Sequence, residues 1–164
     1  RQVGVQLKTL SIFPRLLYTS SRGYKWMIEE IRDTNDNYIT FTYTKDNNEL
    51  YPSQIQYTGY ASTNGPFTID FAKSSRPDPY IKYRGGIKVT TNYRITEIKA
   101  SVNGVMVRKY TLSYSIGSNG ARSLLSSIQR TGRDDNGVEL AEPATSFEYS
   151  TSSSSVLGTN SLMI

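Results

Sequence analysis

The sequence predicts an all-β chain, a sequential meander of antiparallel hairpins made of about ten short strands. Three observations carry that prediction. Apolar and polar residues alternate with a period of two in one segment after another, the pattern of strands with one buried face. Clusters of Asn, Asp, Gly and Ser interrupt the alternation at spacings of roughly 8–15 residues. The chain holds 13 tyrosines and is rich in Thr and Ser, a composition suited to sheet surfaces.

The elements follow in order. "VGVQLKTLSIF" reads as a first strand that Pro14 ends. After a turn at Ser20 to Gly23, the segment Tyr24 to Ile31 alternates and runs straight into "DTNDN", so it pairs as a hairpin with Tyr38 to Lys45. "KDNNEL" is a turn. "YPSQIQYTGY" is a strand with Pro52 near its start, where a missing N–H is tolerated. The loop "ASTNGP" leads to "FTIDFAK", in which Phe67, Ile69 and Phe71 share one face. "SSRPDPYIKYRGG" reads as irregular, held open by two prolines.

"IKVTTNY" and "RITEIKASV" read as two strands, the second reaching a two-residue Asn103-Gly104 hairpin turn. "VMVRKYTLSYSI" changes phase: Val105 and Val107 share one parity, and Tyr110, Leu112 and Tyr114 the other. A β-bulge near Arg108-Lys109 would reconcile them. "GSNGA" is a turn, "RSLLSSIQRTG" a strand, "RDDNGVEL" a turn and "ATSFEYS" a last strand. Residues 1–150 are read as a single β domain. Residues 151–164, "TSSSSVLGTNSLMI", are read as a Ser/Thr-rich linker or disordered tail, with a short apolar anchor at Leu162 to Ile164.

Composition narrows the chemistry. The chain has 164 residues, enough for one domain. It has no cysteine and no histidine, which removes disulfides, thiolate or imidazole metal ligands, Ser-His-Asp triads and Cys-His pairs. No apolar run is long enough for a transmembrane helix. The chain begins at Arg1 without a signal peptide, so it is expected to be processed or cut from something longer. Net charge is +5, with 19 basic and 14 acidic residues spread along the chain. That spread fits a solvated surface better than a nucleic-acid footprint.

The blocks "YKWMIEEIRDTNDNYITFTY", "LYPSQIQYTGY", "RPDPYIKYRGGIKVTTNYRITEIKA", "VRKYTLSYS", "ARSLLSSIQRTGRDDNG" and "PATSFEY" occur in that order. Their order and spacing over roughly residues 24–149 resemble a segment of the SpvB-like and Rhs-type (YD-repeat) proteins. That family includes the B component of bacterial insecticidal toxin complexes and large secreted Rhs-type proteins. The resemblance implies strands of a long antiparallel sheet that coils into a hollow shell around a cargo. It implies a secreted or bacterial cell-surface location, and partners in the remainder of a larger Rhs-type chain or in toxin-complex subunits. Catalysis in that family lies in motifs outside these residues, so the expected role is a non-enzymatic scaffold or shell without cofactor or metal. An excised segment of this length would not close a shell alone and would expose sheet edges.

Candidate chemistry is sparse. Adjacent Glu29 and Glu30 point to opposite faces of a strand and cannot flank one bond. Asp134-Asp135 and the pair Asp33 and Asp36 lie in turn sequences, with too few alternating carboxylates for a calcium loop. Arg76 and Asp78 suit a local ion pair. "YRGG" lacks the spacing of a phosphate loop; its glycines suit a bend or bulge. The densest basic stretch, Lys82, Arg84, Lys88, Arg94 and Lys99, has no nucleic-acid motif beside it. The best binding surface is aromatic. Among Tyr38, Tyr43, Tyr57, Tyr60, Tyr80, Tyr83 and Tyr93, an exposed row could stack on sugar rings. The candidate ligand contacts are Tyr57, Tyr60, Tyr80, Tyr83 and Arg84, and the alternative function is a glycan-binding β module for a polysaccharide.

Overall fold

The computed structural model describes residues 11–16, 25–117 and 122–150. The readings for residues 1–10, for the turn at Ser20 to Gly23, for most of "GSNGA" and for the tail at 151–164 lie outside them. All described elements are strands: β1 Ser11–Leu16, β2 Trp26–Arg32, β3 Asn37–Asp46, β4 Glu49–Tyr60, β5 Phe67–Arg84, β6 Ile87–Val102, β7 Val105–Ile116, β8 Ser123–Arg133, β9 Glu139–Ala141 and β10 Thr145–Ser146. Strands β1 to β8 pair antiparallel in chain order, and β9 and β10 lie in line along the far side of β8. The sheet is an open meander with β1 at one edge and β9–β10 at the other.

Turn chemistry explains the register. Three hairpins close on two-residue turns whose central residues both have positive φ, the twist that matches paired strands. These are Asn47-Asn48 (43° and 65°), Gly85-Gly86 (54° and 77°) and Asn103-Gly104 (51° and 79°). The glycines of "YRGG" therefore make a hairpin turn rather than a bend or bulge. Two further turns share one design. Asp33 accepts the amides of Asn35 and Asn37, and Asp134 those of Asn136 and Val138, with positive φ at Asp36 and Gly137. Both carboxylates serve turn amides, as Asx turns do.

Several expected boundaries move. The first strand runs through Pro14, which sits at a register shift in the edge strand, a position where a missing N–H costs little. "FTIDFAK" and "SSRPDPYIKYR" form one strand, β5, because the two prolines fall in a bulge between the pairs Ser75–Tyr93 and Tyr80–Thr91. "IKVTTNY" and "RITEIKASV" are likewise one strand, β6. The "RDDNGVEL" turn ends in the short strand β9. The bulge in β7 leaves Val107 without a partner, between Met106 opposite Ser101 and Arg108 opposite Ala100. That is one residue before the expected Arg108-Lys109.

Adjacent ladders cover only part of their strands. β4 pairs with β5 only from Gln54 to Tyr57, and β6 with β7 only from Glu97 to Val102. Beyond those points the hairpins splay. Bonds between non-neighbouring strands then curl the sheet: the Asn47 carbonyl accepts the Thr90 amide at 3.0 Å, and Asp78 of β5 accepts the Ser123 amide at the start of β8 at 2.7 Å. The buried residues gather mostly where the β3–β4 tip meets β6: Glu49, Leu50, Tyr51, Val89 and Thr91. Among the described residues only Tyr38, Leu50, Tyr51 and Val89 form a buried apolar core. At about 1.5–3 kcal/mol for each such side chain, that core is thin for the described sheet.

Candidate functional site

The splayed hairpins are joined by two polar centres. In the first, Glu49 follows the Asn47-Asn48 turn and points at the β5–β6 arm. Its Oε1 accepts from Lys25 Nζ at 3.3 Å and from the Leu50 amide at 3.3 Å. Its Oε2 accepts from Lys82 Nζ at 2.6 Å and from the Thr91 hydroxyl at 3.1 Å. Burial alone would push this carboxyl up. The Lys82 hydrogen bond, the Leu50 amide and the Lys25 charge outweigh it and hold the pKa at about 2. Lys25, Glu49, Lys82 and Arg84 line a pocket of about 170 Å³.

The second centre is built on the β5 bulge. Arg76 donates to Asp78 through Nε and Nη2, at 3.3 and 2.9 Å, the expected ion pair. Asp78 also accepts the amide and, at 2.5 Å, the hydroxyl of Ser123. Arg76 first, then Ser123, holds its carboxyl below the usual carboxylate range. Arg94 donates to the Ser123 hydroxyl at 2.9 Å and lies 4.5 Å from the Tyr114 ring centre. A bulge from β5 thus spans β6 and β7 to reach β8.

Tyrosine hydroxyls bond to backbone where a ladder ends or is interrupted. Tyr114 donates to the Ile95 carbonyl at 2.5 Å, just past the end of the β6–β7 ladder. Tyr43 donates to the Ile28 carbonyl at 2.9 Å, beyond the β2–β3 pairs. The Tyr51 hydroxyl accepts the amides of Asn92 at 2.9 Å and Tyr93 at 3.3 Å, where the β5 bulge skips Asn92. Each satisfies a polar group that would otherwise be costly to leave unpaired. Tyr38 packs its ring on Gly59 under the Arg32 guanidinium, 4.3 Å away, and donates to Asn64 at 2.9 Å.

The five candidate contacts fall in two places. Tyr57 stacks on Phe67 with centroids 5.2 Å apart, and Tyr60 lies 62% exposed at the end of β4. Tyr80, Tyr83 and Arg84 share the far arm of β5. Tyr80 is ringed by Arg122, Arg76 and Lys82 at 4.3, 5.4 and 5.7 Å, whereas Tyr83 points outward, 72% exposed. From Phe67, the partner of Tyr57, to Tyr83 the strand runs on the order of 50 Å. Glu49 was not among the candidates. The signal for it was the alternation of Tyr80, Lys82 and Arg84 on one face, which calls for an acid opposite.

No family model matches the chain, and no curated protein matches it in sequence. Two solved structures are similar to it. A crystal structure of TcdB2-TccC3-Cdc42 aligns with a TM-score of 0.62 and 14% identity, over 76% of this chain and 9% of that one. The N-terminal domain of effector protein SpvB from Salmonella typhimurium strain LT2 aligns with a TM-score of 0.44 and 15% identity, over 76% of this chain and 51% of that one. The first likeness establishes a fold: an open, curved antiparallel meander that occurs as a small part of a much longer chain.

Proposed function

We propose that the chain is a non-catalytic wall segment of a large toxin-related, Rhs/SpvB-like protein, contributing to a shell that encloses or scaffolds a cargo. The observation that carries this reading is the pair of open edges on a sheet with a thin core. A sheet that, among the described residues, buries four apolar side chains and leaves β1 and β9–β10 unpaired on their outer sides is built to be continued by further hairpins. The apolar residues Val138, Leu140, Phe147 and Tyr149, 39–58% exposed beside the β9–β10 edge, suit such a continuation. The likeness to a segment that makes up 9% of a longer chain supports it. In this reading the rest of the larger chain and the subunits of a toxin complex are the partners, at a secreted or cell-surface location. The glycan alternative needs coplanar exposed rings, and the separation of Tyr60 from Tyr83 favours the wall.

The test is light scattering of the isolated chain over a concentration series, beside a Leu140→Lys variant. The expected result is concentration-dependent association that the edge charge suppresses. A chain that stays monomeric at every concentration, with or without the lysine, counts against the wall.

A further inference from the structure

The pocket beside Glu49 has a surplus of positive charge and of hydrogen-bond donors. Among the described residues it is lined by three cations, Lys25, Lys82 and Arg84, and by one carboxylate. That carboxylate is fully used, because each Glu49 oxygen already accepts two hydrogen bonds. Each ammonium carries three N–H donors, of which Glu49 takes one, and the Arg84 guanidinium has five with no carboxylate partner among the described residues. Four donors of the two lysines and those of Arg84 thus have no acceptor among the described residues and are available to solvent or a ligand.

The lysines are also positioned in advance. Glu49, its side chain 10% exposed, anchors both, while their own side chains, 36% and 32% exposed, remain open to the pocket. Fixing the donors beforehand lowers the entropy cost of capturing an anion. A volume of about 170 Å³ admits one compact charged group with its waters, not a sugar chain or a nucleotide.

We propose that Lys25, Lys82 and Arg84 form a binding site for a single compact oxyanion, a carboxylate or phosphate group, with Glu49 as the buried counter-charge that sets the two lysines. Arg84, also in the lining, supplies a planar fork suited to two oxygens. The site does not depend on the wall reading, because the residues proposed to bind the anion lie on β5 and at Lys25, and their counter-charge on β4.

The test is a titration of the whole chain with sodium phosphate, and separately with sodium acetate, at constant ionic strength held with chloride. Backbone amide shifts of Lys82 to Thr91 are the readout. The expected result is saturable shifts localised to that arm, weakened about five-fold by Arg84→Gln and abolished by Arg84→Glu. Arg108→Gln, an exposed change elsewhere, leaves the binding unchanged. Arg84 is exposed, so its variants keep the fold, which the amide spectrum checks directly. Saturation by phosphate alone assigns a phosphate group; saturation by both assigns any compact oxyanion. Shifts that chloride reproduces, or that Arg84→Glu leaves intact, overturn the proposal.

Discussion

Replacing Glu49 by Gln removes the charge from the first polar centre while keeping its size. In the folded chain the Glu49 pKa falls from 4.5 to about 2. A depressed carboxylate contributes stability that is fully present above its unfolded value and is lost as pH falls through its folded value. The drop corresponds to ~3 kcal/mol at pH 7, ~1.5 kcal/mol at pH 3 and under ~0.5 kcal/mol at pH 2. Urea denaturation of wild type and Glu49→Gln at these three pH values is the assay. The expected difference is about 2–3 kcal/mol at neutral pH, shrinking toward zero at pH 2, where the wild-type carboxyl is itself protonating. Other carboxylates titrate in both proteins and cancel. A difference that stays the same at pH 7 and pH 2 would refute the reasoning, because the loss would then come from packing rather than from charge.

Three other perturbations probe the remaining devices. Gly59→Ala sets a methyl 2.4 Å from the Tyr38 ring, so Tyr38 must leave its place, at a cost of about 2 kcal/mol or more in denaturant melts. Tyr114→Phe strips the donor from the Ile95 carbonyl and should cost about 1 kcal/mol, whereas Tyr83→Phe, on an exposed ring, should cost nothing measurable. Asp78→Asn keeps the shape of the β5 bulge but weakens its hold on β8, and the Ser123 amide should exchange faster in hydrogen exchange while the Glu30 to Arg32 amides stay unchanged.

The meander was legible wherever the cause was local. Alternation marked the β2–β3 hairpin, Asn103-Gly104 marked the β6–β7 turn, and the spacing of Arg76 and Asp78 marked their ion pair. The phase change in "VMVRKYTLSYSI" located the β7 bulge to within a residue. What escaped depends on distant partners. Two prolines read as a break in β5, yet a bulge absorbs them because β6 continues past it. Glu49 sits in "DNNEL", which reads as a solvated turn, and only the meeting of the β3–β4 tip with β6 buries it.

Of the tyrosines read as a binding surface, Tyr43 proves to be a hydrogen-bond partner for splayed backbone, a role that Tyr51 and Tyr114, outside that reading, share. No pattern in the sequence signals where ladders end. On the far arm of β5 the usual inward apolar rule is inverted: Tyr80 and Lys82 face the Glu49 side while Ile81 and Tyr83 face out, because that inner face is built from charge.

The central claim is that this sheet is a segment with two edges meant to be continued. Residue-resolved hydrogen exchange of the dilute chain tests it most directly. The account predicts strong protection along the arm where Tyr80–Arg84 pairs with Ile87–Thr91, and little at the outward amides of Ser11–Leu16 and Glu139–Ser146. Edge amides as protected as those of β6, in a chain shown to be monomeric, would mean a self-sufficient domain and would contradict the account.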